Sequence, residues 1–225
     1  MVIHPKKEVY IHIPKCGGTS ITRGYIAEFY IPEAEKTGTS IKLNHRNWEG
    51  NPSEYIRHSK RESMNGIAYT NIHATYDQLA IEFPDYKYYT VIRNPLDRWE
   101  SLYKYNCDNY FIIDWDIITW TKKAINGLQQ GSYWSTAQDL TELEKAHVRL
   151  GGSYFVMYKP AWCFYREPEV EVHRLEDQTI WAKLGLIPNN HHESITKIAP
   201  YNREVVKELI YDYYKRDFER WQMTE

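Results

Sequence analysis

The sequence lacks three features that would place it in a class at once. It has no apolar run of about 18 residues, the length that a membrane-spanning helix needs, and no charged and apolar leader before its first predicted strand. Its three cysteines are an odd number without metal-ligand spacing, which favours reduced thiols. We therefore expect a soluble, cytoplasmic protein that neither enters a membrane nor binds a metal.

An excess of charge of one sign is also missing. The 28 basic and 30 acidic residues give a formal net charge of -2. Bulk affinity for nucleic acid or for an anionic membrane is therefore not expected, and any anion site must be local. The 225 residues, 42% of them hydrophobic, can bury one substantial core, and no long linker or internal repeat divides them. We predict a single domain spanning residues 1–225.

The sequence does contain a strand, a glycine turn and a helix in close succession near its start. Residues 9–13 alternate in a β-prone run, and apolar residues recur at helical spacing from Ile21. Gly17 and Gly18 permit backbone conformations that other residues resist, and the amides of a helix N-terminus, with the helix dipole, favour an anion. The pattern predicts a phosphate-binding loop. Its residues are Lys15, Cys16, Gly17, Gly18, Thr19 and Ser20.

The position of Lys15 separates this loop from a Walker A loop. In that motif the lysine follows the last glycine and stands next to Ser or Thr, whereas Lys15 precedes both glycines. A lysine in front of the loop can reach atoms beyond the bound phosphate, where a group would be transferred. No acidic Mg²⁺ ligand is evident at a strand end, a feature that nucleoside triphosphate enzymes normally need. A Mg²⁺-dependent kinase or NTPase and a non-catalytic nucleotide- or carbohydrate-binding module remain alternatives.

Two blocks of the sequence resemble one enzyme family. Residues 12–20, His-Ile-Pro-Lys-Cys-Gly-Gly-Thr-Ser, resemble the 5′-phosphosulfate-binding loop of sulfotransferases that use 3′-phosphoadenosine 5′-phosphosulfate (PAPS). The form is typical of the carbohydrate branch that includes the heparan sulfate 2-O- and 6-O-sulfotransferases. Residues 91–103, Val-Ile-Arg-Asn-Pro-Leu-Asp-Arg-Trp-Glu-Ser-Leu-Tyr, resemble the same family's 3′-phosphate-binding segment. The two blocks occur in the family's order.

The resemblance implies in-line transfer of a sulfuryl group from PAPS to an acceptor hydroxyl, on a glycan or a small glycosylated metabolite, without a metal. The loop amides would hold the 5′-phosphate, while Arg93 and Ser101 would hold the 3′-phosphate. Lys15 would stabilise negative charge on the oxygen between sulfur and the 5′-phosphate. In related enzymes a late loop closes over the nucleotide, which makes Lys197 a predicted nucleotide contact.

His73 is the predicted general base. It follows a predicted buried strand, residues 66–72, and ligands of open α/β sheets gather outside the carboxyl ends of strands. Imidazole suits proton abstraction near neutral pH, and the resembling enzymes carry a catalytic histidine in the segment before the 3′-phosphate strand. A purely structural histidine is the competing interpretation. The alternative bases are His12, His191 and His192.

The predicted fold is α/β, a three-layer P-loop-like domain with a central parallel sheet flanked by helices. The predicted strands are residues 9–13, 66–72, 86–92 and 170–175. The predicted helices include residues 75–83, 94–105, 141–150 and 202–221. Residues 31–65 are predicted to be an irregular insertion with one helix at 53–63, either solvated or part of the acceptor cleft, and residues 187–200 are a predicted loop that is either solvated or a lid over the nucleotide.

Two sets of side chains keep alternative interpretations. Arg98 could bind the 3′-phosphate, form an ion pair with Asp97 or Glu100, or only pack. Four aromatic residues could stack on a sugar or belong to the core, and the core is favoured because large aromatic groups dominate burial. These four are Trp115, Trp120, Tyr133 and Trp134.

Overall fold

The computed structural model of the chain describes residues 2–3, 6–25, 67–68, 73–110, 115–129, 157–188 and 196–223. The chain divides into two compact units. The first contains Met1–Ile92 and Cys163–His192, and the second contains Arg93–Trp162 and Glu193–Glu225. Because one domain can contain two such parts, the single domain over residues 1–225 stays a prediction.

The first unit is built on a mixed sheet of short strands. In chain order they are β1 Val2–Ile3, β2 Glu8–Ile11, β3 Ile67–Ala68, β4 Lys87–Ile92 and β5 Val170–Arg174. Their order across the sheet is β3-β1-β2-β4-β5. Strands β2, β4 and β5 are parallel neighbours, whereas β1 runs antiparallel to both β2 and β3. The predicted parallel centre is confirmed, and the antiparallel β1 is an addition that the sequence did not predict.

Strand β4 is the middle of the parallel part. It is buried from Tyr88 onward, as expected of a β-branched and aromatic run between two parallel neighbours. Tyr89 stands opposite Tyr10 of β2 on one side and Glu171 of β5 on the other. This register brings the carboxyl ends of β2, β4 and β5 to the same edge of the sheet.

Helices cover both faces of this sheet. The described helices of the first unit are α1 Gly18–Tyr25, α2 Tyr76–Glu82 and α5 Thr179–Leu184. Consecutive residues of a strand point to opposite faces. The ring of Tyr88 contacts Tyr76 of α2 at 4.9 Å, and the neighbouring Tyr89 ring lies 5.3 Å below the Lys183 ammonium of α5. The first unit therefore has three layers, as predicted.

The second unit is helical in the residues described. Its helices are α3 Pro95–Tyr110, α4 Ile117–Gln129 and α6 Arg203–Gln222. Pro95 occupies the first position of α3, where the missing N–H costs nothing, and the Asn94 side chain accepts a hydrogen bond from the Leu96 amide at 3.0 Å. A cluster of apolar and aromatic side chains from the three helices forms the core of this unit.

Trp120 belongs to that core. It is fully buried, and its ring lies 4.8 Å from that of Trp99, whose indole N–H donates to the Thr121 hydroxyl at 2.8 Å. The core interpretation of Trp120 is therefore right. Trp115 is half-buried, with the Lys123 ammonium 4.2 Å from its ring centre. Tyr133 and Trp134 lie outside the described residues.

The helix predictions hold in the described part of the chain, with different ends. The helix predicted for residues 94–105 continues to Tyr110, and the last helix, predicted for residues 202–221, is Arg203–Gln222. Of the strand predicted for residues 66–72, the structure describes Ile67–Ala68. Residues 31–65, 141–150 and 189–195 lie outside the described residues. No described helix is both long and apolar enough to cross a membrane.

Candidate functional site

The loop between β2 and α1 has an unusual backbone. Lys15 and Gly17 both adopt positive φ angles, of 64° and 77°, and the Cys16 amide donates to the Ile13 carbonyl at 3.3 Å. Glycine takes this conformation freely, but for lysine it costs about 1–2 kcal/mol. Such strain concentrates at active sites and ligand clamps. Among the described residues, Lys7 and Gln178 also adopt positive φ, and Lys15 is the one that lies in the loop.

Helix α1 starts directly after this turn. Its first internal hydrogen bond runs from the Ile21 amide to the Gly17 carbonyl, at 3.1 Å. The amides of Gly18, Thr19 and Ser20 come before that bond and so lie outside the helical hydrogen-bond ladder. Together with the helix dipole, this is the donor geometry that a phosphate-sized anion needs.

Packing within the protein also requires glycine at position 18, whereas at position 17 the neighbour is the flexible tip of Leu175. A Cβ atom on Gly17 would lie 2.6 Å from Leu175 Cδ1, and one on Gly18 would lie 2.0 Å from His12 Cδ2. The sequence suggested only that the glycines permit backbone conformations that other residues resist. The contact between Gly18 and His12 is the more severe, because the neighbour is a ring fixed at the end of β2 rather than a flexible side-chain tip.

His73 is held by the backbone just before this loop. Its Nδ1 lies 3.0 Å from the carbonyl oxygen of His12, and since a carbonyl only accepts, the ring must donate through Nδ1–H. The neutral ring then carries its lone pair on Nε2, which is the atom able to take a proton. The first unit thus brings together a candidate base and the predicted phosphate loop.

His12 lies between His73 and the predicted phosphate loop. Its side chain is 9% exposed, and its ring is 5.0 Å from that of His73 in an edge-on arrangement of 66°. Burial lowers the pKa of His12 well below its usual value, and the charges of His73 and Lys15 lower it further. His12 is therefore neutral near pH 7, and its contacts are those of a packed spacer. The other alternative bases, His191 and His192, lie outside the described residues.

The remaining predicted site residues belong to the second unit. Arg93 directly follows β4 in the sequence and is half-buried, Ser101 is half-buried on α3, and Lys197 is exposed. The residue before Lys197 is anchored to α3, because both the amide and the hydroxyl of Thr196 donate to Asp108 Oδ1, at 2.9 and 2.5 Å. That these residues act together with the loop and His73 stays a prediction.

Arg98 has a structural role. Its Nη2 donates to the carbonyl oxygens of Lys159 and Met157, at 2.7 and 3.3 Å, and its Nη1 lies 3.7 Å from Asp217 Oδ2. Both side chains of this ion pair are 5% exposed. Burial raises the pKa of Asp217, while the Arg98 charge opposes that shift. The sequence offered no signal for this pair, because its members lie on helices far apart in the chain.

The acidic residues considered as partners of Arg98 have another basic partner. Arg203, at the start of α6, lies 2.5 Å from Asp97 and 3.1 Å from Glu100, and the Tyr201 hydroxyl also donates to Glu100. This network joins the solvent-facing side of α3 to the start of α6. Within the described part of the chain, no group of three His, Cys, Asp or Glu side chains is placed to hold a metal ion.

Comparison with known proteins adds one structural likeness. No protein-family model and no curated protein matches the chain. The chain is similar to the crystal structure of a sulfotransferase from Alicyclobacillus acidocaldarius, with 17% sequence identity over 96% of this chain and 94% of that one, and a TM-score of 0.47. At this level of similarity, the function has to be argued from the residues themselves.

Proposed function

We propose that the protein is a sulfotransferase that moves a sulfuryl group from PAPS to an acceptor hydroxyl. The observation that supports this most is the placement of His73 beside the loop. One residue, His12, contacts both parts: its carbonyl accepts from His73, and its ring packs against Gly18 at the start of α1. The proposed proton acceptor and the proposed anion-binding helix terminus are thus neighbours of one residue, and transfer from an anionic donor to a hydroxyl needs both groups.

The residues of the loop fit the 5′ end of the donor. PAPS supplies an activated sulfuryl group attached to its 5′-phosphate. The amides of Gly18, Thr19 and Ser20 would bind that phosphate, with Lys15 adding a positive charge where the loop begins. In the second unit, Arg93 would bind the 3′-phosphate through two parallel hydrogen bonds, a geometry that lysine cannot copy. Ser101 and Lys197 would add a hydroxyl and a charge to the nucleotide site.

The chemical step assigns one task to each polar group. His73 Nε2 takes the proton of the acceptor hydroxyl, while Nδ1–H keeps its hydrogen bond to the His12 carbonyl. A base of this kind contributes about a hundred- to ten-thousand-fold in rate. The acceptor oxygen forms a bond to sulfur as the bond from sulfur to the 5′-phosphate oxygen breaks and leaves its electron pair there. The Lys15 ammonium and the loop amides stabilise that charge, and His73 then returns its proton to solvent.

We propose a carbohydrate hydroxyl, on a glycan or a small glycosylated metabolite, as the acceptor. The support is the resemblance of residues 12–20 to the loop of the carbohydrate sulfotransferases. The balance of 28 basic and 30 acidic residues disfavours a highly anionic polymer, since such a ligand needs an extended basic surface.

Nucleotide binding is the first test. Calorimetry without metal would compare 3′-phosphoadenosine 5′-phosphate, the desulfated product, with AMP and with ATP plus Mg²⁺. We expect binding that needs the 3′-phosphate and that Arg93→Ala weakens by at least about tenfold, the loss of a charge-assisted hydrogen bond. Arg216→Ala is the matched control, because this exposed arginine covers the Trp162 ring and is outside the proposed site. A preference for ATP with Mg²⁺ would contradict the proposal.

Transfer is the second test. With sulfur-labelled PAPS and a panel of sugars, we expect His73→Ala to lower turnover about a hundred- to ten-thousand-fold while nucleotide binding persists. His173→Ala is the matched control, since His173 is a part-buried histidine of β5 that bonds to the Thr179 hydroxyl. A non-catalytic binding module would show no transfer by the wild-type protein and no response to either substitution.

A further inference from the structure

We propose that His12 is a positioning residue, whose neutral side chain sets the place of His73 relative to the first amides of α1. This inference deepens the proposed function and rests on it for the identity of the reaction. The contacts that carry it all lie within the first unit, at the carboxyl end of β2.

His12 touches the proposed base in two ways. Its carbonyl oxygen holds the Nδ1–H of His73 at 3.0 Å, and its ring meets the His73 ring edge-on with centres 5.0 Å apart. The first contact selects the tautomer with its lone pair on Nε2. The second places the two rings edge to face, an arrangement that aromatic pairs favour.

The same side chain touches the phosphate loop. A Cβ atom on Gly18 would lie 2.0 Å from His12 Cδ2 and 2.3 Å from Nε2, so the ring edge lies directly on the Gly18 backbone. The imidazole therefore fills the space between the first residue of α1 and His73. Loss of the ring would leave a gap on both sides, and the end of β2, with the carbonyl that holds His73, would be free to shift into it.

The uncharged state of the His12 side chain matters for the reaction. His12 is faced by His73, Lys15 and the Tyr10 ring, the last with ring centres 6.4 Å apart. When His73 accepts the acceptor's proton, a charged neighbour 5.0 Å away would oppose that step, whereas a neutral ring does not. Burial keeps the pKa of His12 well below its usual value, so the His12 ring stays uncharged while His73 gains and loses a proton.

Substitutions of His12 test the role through kinetics. We expect His12→Ala to lower kcat about 10- to 100-fold, as loss of an orienting partner commonly does, with a smaller change in KM for PAPS. His12→Phe keeps a flat, neutral ring of similar size, so it should recover most of that loss. If Phe is as inactive as Ala, an imidazole nitrogen of His12 takes part directly and the spacer role is wrong.

A double-mutant cycle asks whether His12 acts through His73. In the His73→Ala background, His12→Ala should lower the residual turnover by less than about threefold, because the group that it positions is gone. Independent, multiplicative losses would contradict the inference. A general loss of folding would instead lower both backgrounds equally, and urea unfolding of each variant measures that contribution.

The tautomer of His73 gives a readout that needs no activity. Nitrogen NMR of histidine-labelled protein should show His73 protonated at Nδ1 in the wild type and a mixture of both tautomers in His12→Ala. Thr90→Val is the matched control, because it removes a buried hydroxyl that donates to the carbonyl of Ile11, the residue before His12. An equal tautomer change in Thr90→Val would overturn the inference. A tautomer change in His12→Ala and not in Thr90→Val would support the positioning role of His12. If the wild-type protein showed no transferase activity, that result would refute only the proposed function.

Discussion

The two units each contain a polar pair with at least one buried member, and the pairs are held in different ways. In the first unit, His12 and His73 are joined through a backbone carbonyl, and burial keeps the His12 ring neutral. In the second unit, Arg98 faces Asp217 across 3.7 Å, with both side chains 5% exposed. Both pairs join distant parts of the chain, and the first contains the proposed base, His73.

The two pairs show two ways in which the free-energy cost of burying polar groups is offset. The charged pair is spread over backbone groups: Arg98 donates to two carbonyls, and Asp217 accepts from the amides of Ala161 and Trp162 at 2.7 and 3.0 Å. It thereby holds residues 157–162 in place. Such a network stabilises a backbone path. The pair in the first unit is held by one hydrogen bond to a backbone carbonyl, and we propose that it serves the reaction.

The largest expected effect on stability comes from breaking the charged pair. Asp217→Ala leaves Arg98 buried without its counter-charge and removes the acceptor of two amides, so we expect a loss of about 3–5 kcal/mol in the free energy of unfolding. Urea unfolding at pH 7 measures it. Glu219→Ala is the matched control on the same helix, because its pair with Lys215 is exposed and 3.9 Å long. There the change should be at most about 0.5 kcal/mol. Equal losses would show that burial is not what distinguishes the pair.

A smaller effect is expected from the glycines of the first unit. Gly17→Ala forces alanine into a φ of 77°, which should cost more than about 1 kcal/mol of stability and weaken nucleotide binding. Relief by Leu175→Ala should be slight, because the leucine tip can rotate away and the backbone strain remains. Gly24→Ala, in the helix that follows Gly17, is the control: its Cβ would meet Trp181 at an ordinary 3.6 Å, so stability should rise by up to about 1 kcal/mol. Thermal unfolding measures the stability of the two variants, and calorimetry measures their nucleotide binding.

The smallest effect concerns pH. Burial places the pKa of folded His12 below the unfolded value of about 6.5, so between these values the unfolded chain binds a proton that the folded protein does not. The contribution of His12 to the free energy of unfolding should therefore be fully present above about pH 6.5 and decrease as the pH falls below that value. His12→Phe should reduce that slope by at most about 1.4 kcal/mol per pH unit. Urea unfolding at pH 7.5 and 5.5 tests this, and an unchanged slope would mean that folded His12 titrates normally.

Much of the fold could be predicted because its elements are marked locally. Thr75 and Gln78 form a capping box at the start of α2, Pro95 opens α3, and Asn202 caps α6. Strand β1 escaped prediction because two residues are too few to show an alternating pattern. The ends of α3 and β5 were off by a few residues, which is where patterns carry least information.

The candidate site was predictable in its residue types and not in its contacts. A loop before a helix is predicted by Lys15, Gly17 and Gly18. His73 follows a β-prone run. That His12 presses on Gly18, or that His73 donates through Nδ1, depends on the register of β2 with its neighbours, which no local pattern encodes. The Arg98–Asp217 pair is of the same kind, since it joins helices that are remote in sequence.

The positive φ of Lys15 has a consequence for protein engineering. Glycine or asparagine would adopt this conformation at less cost, so a search for variants that only maximises thermal stability would favour replacing this lysine. The enriched variants would melt later and lose the ammonium group that stands in front of the loop. A stabilised library of this protein should therefore be screened for turnover at every round, with position 15 held constant.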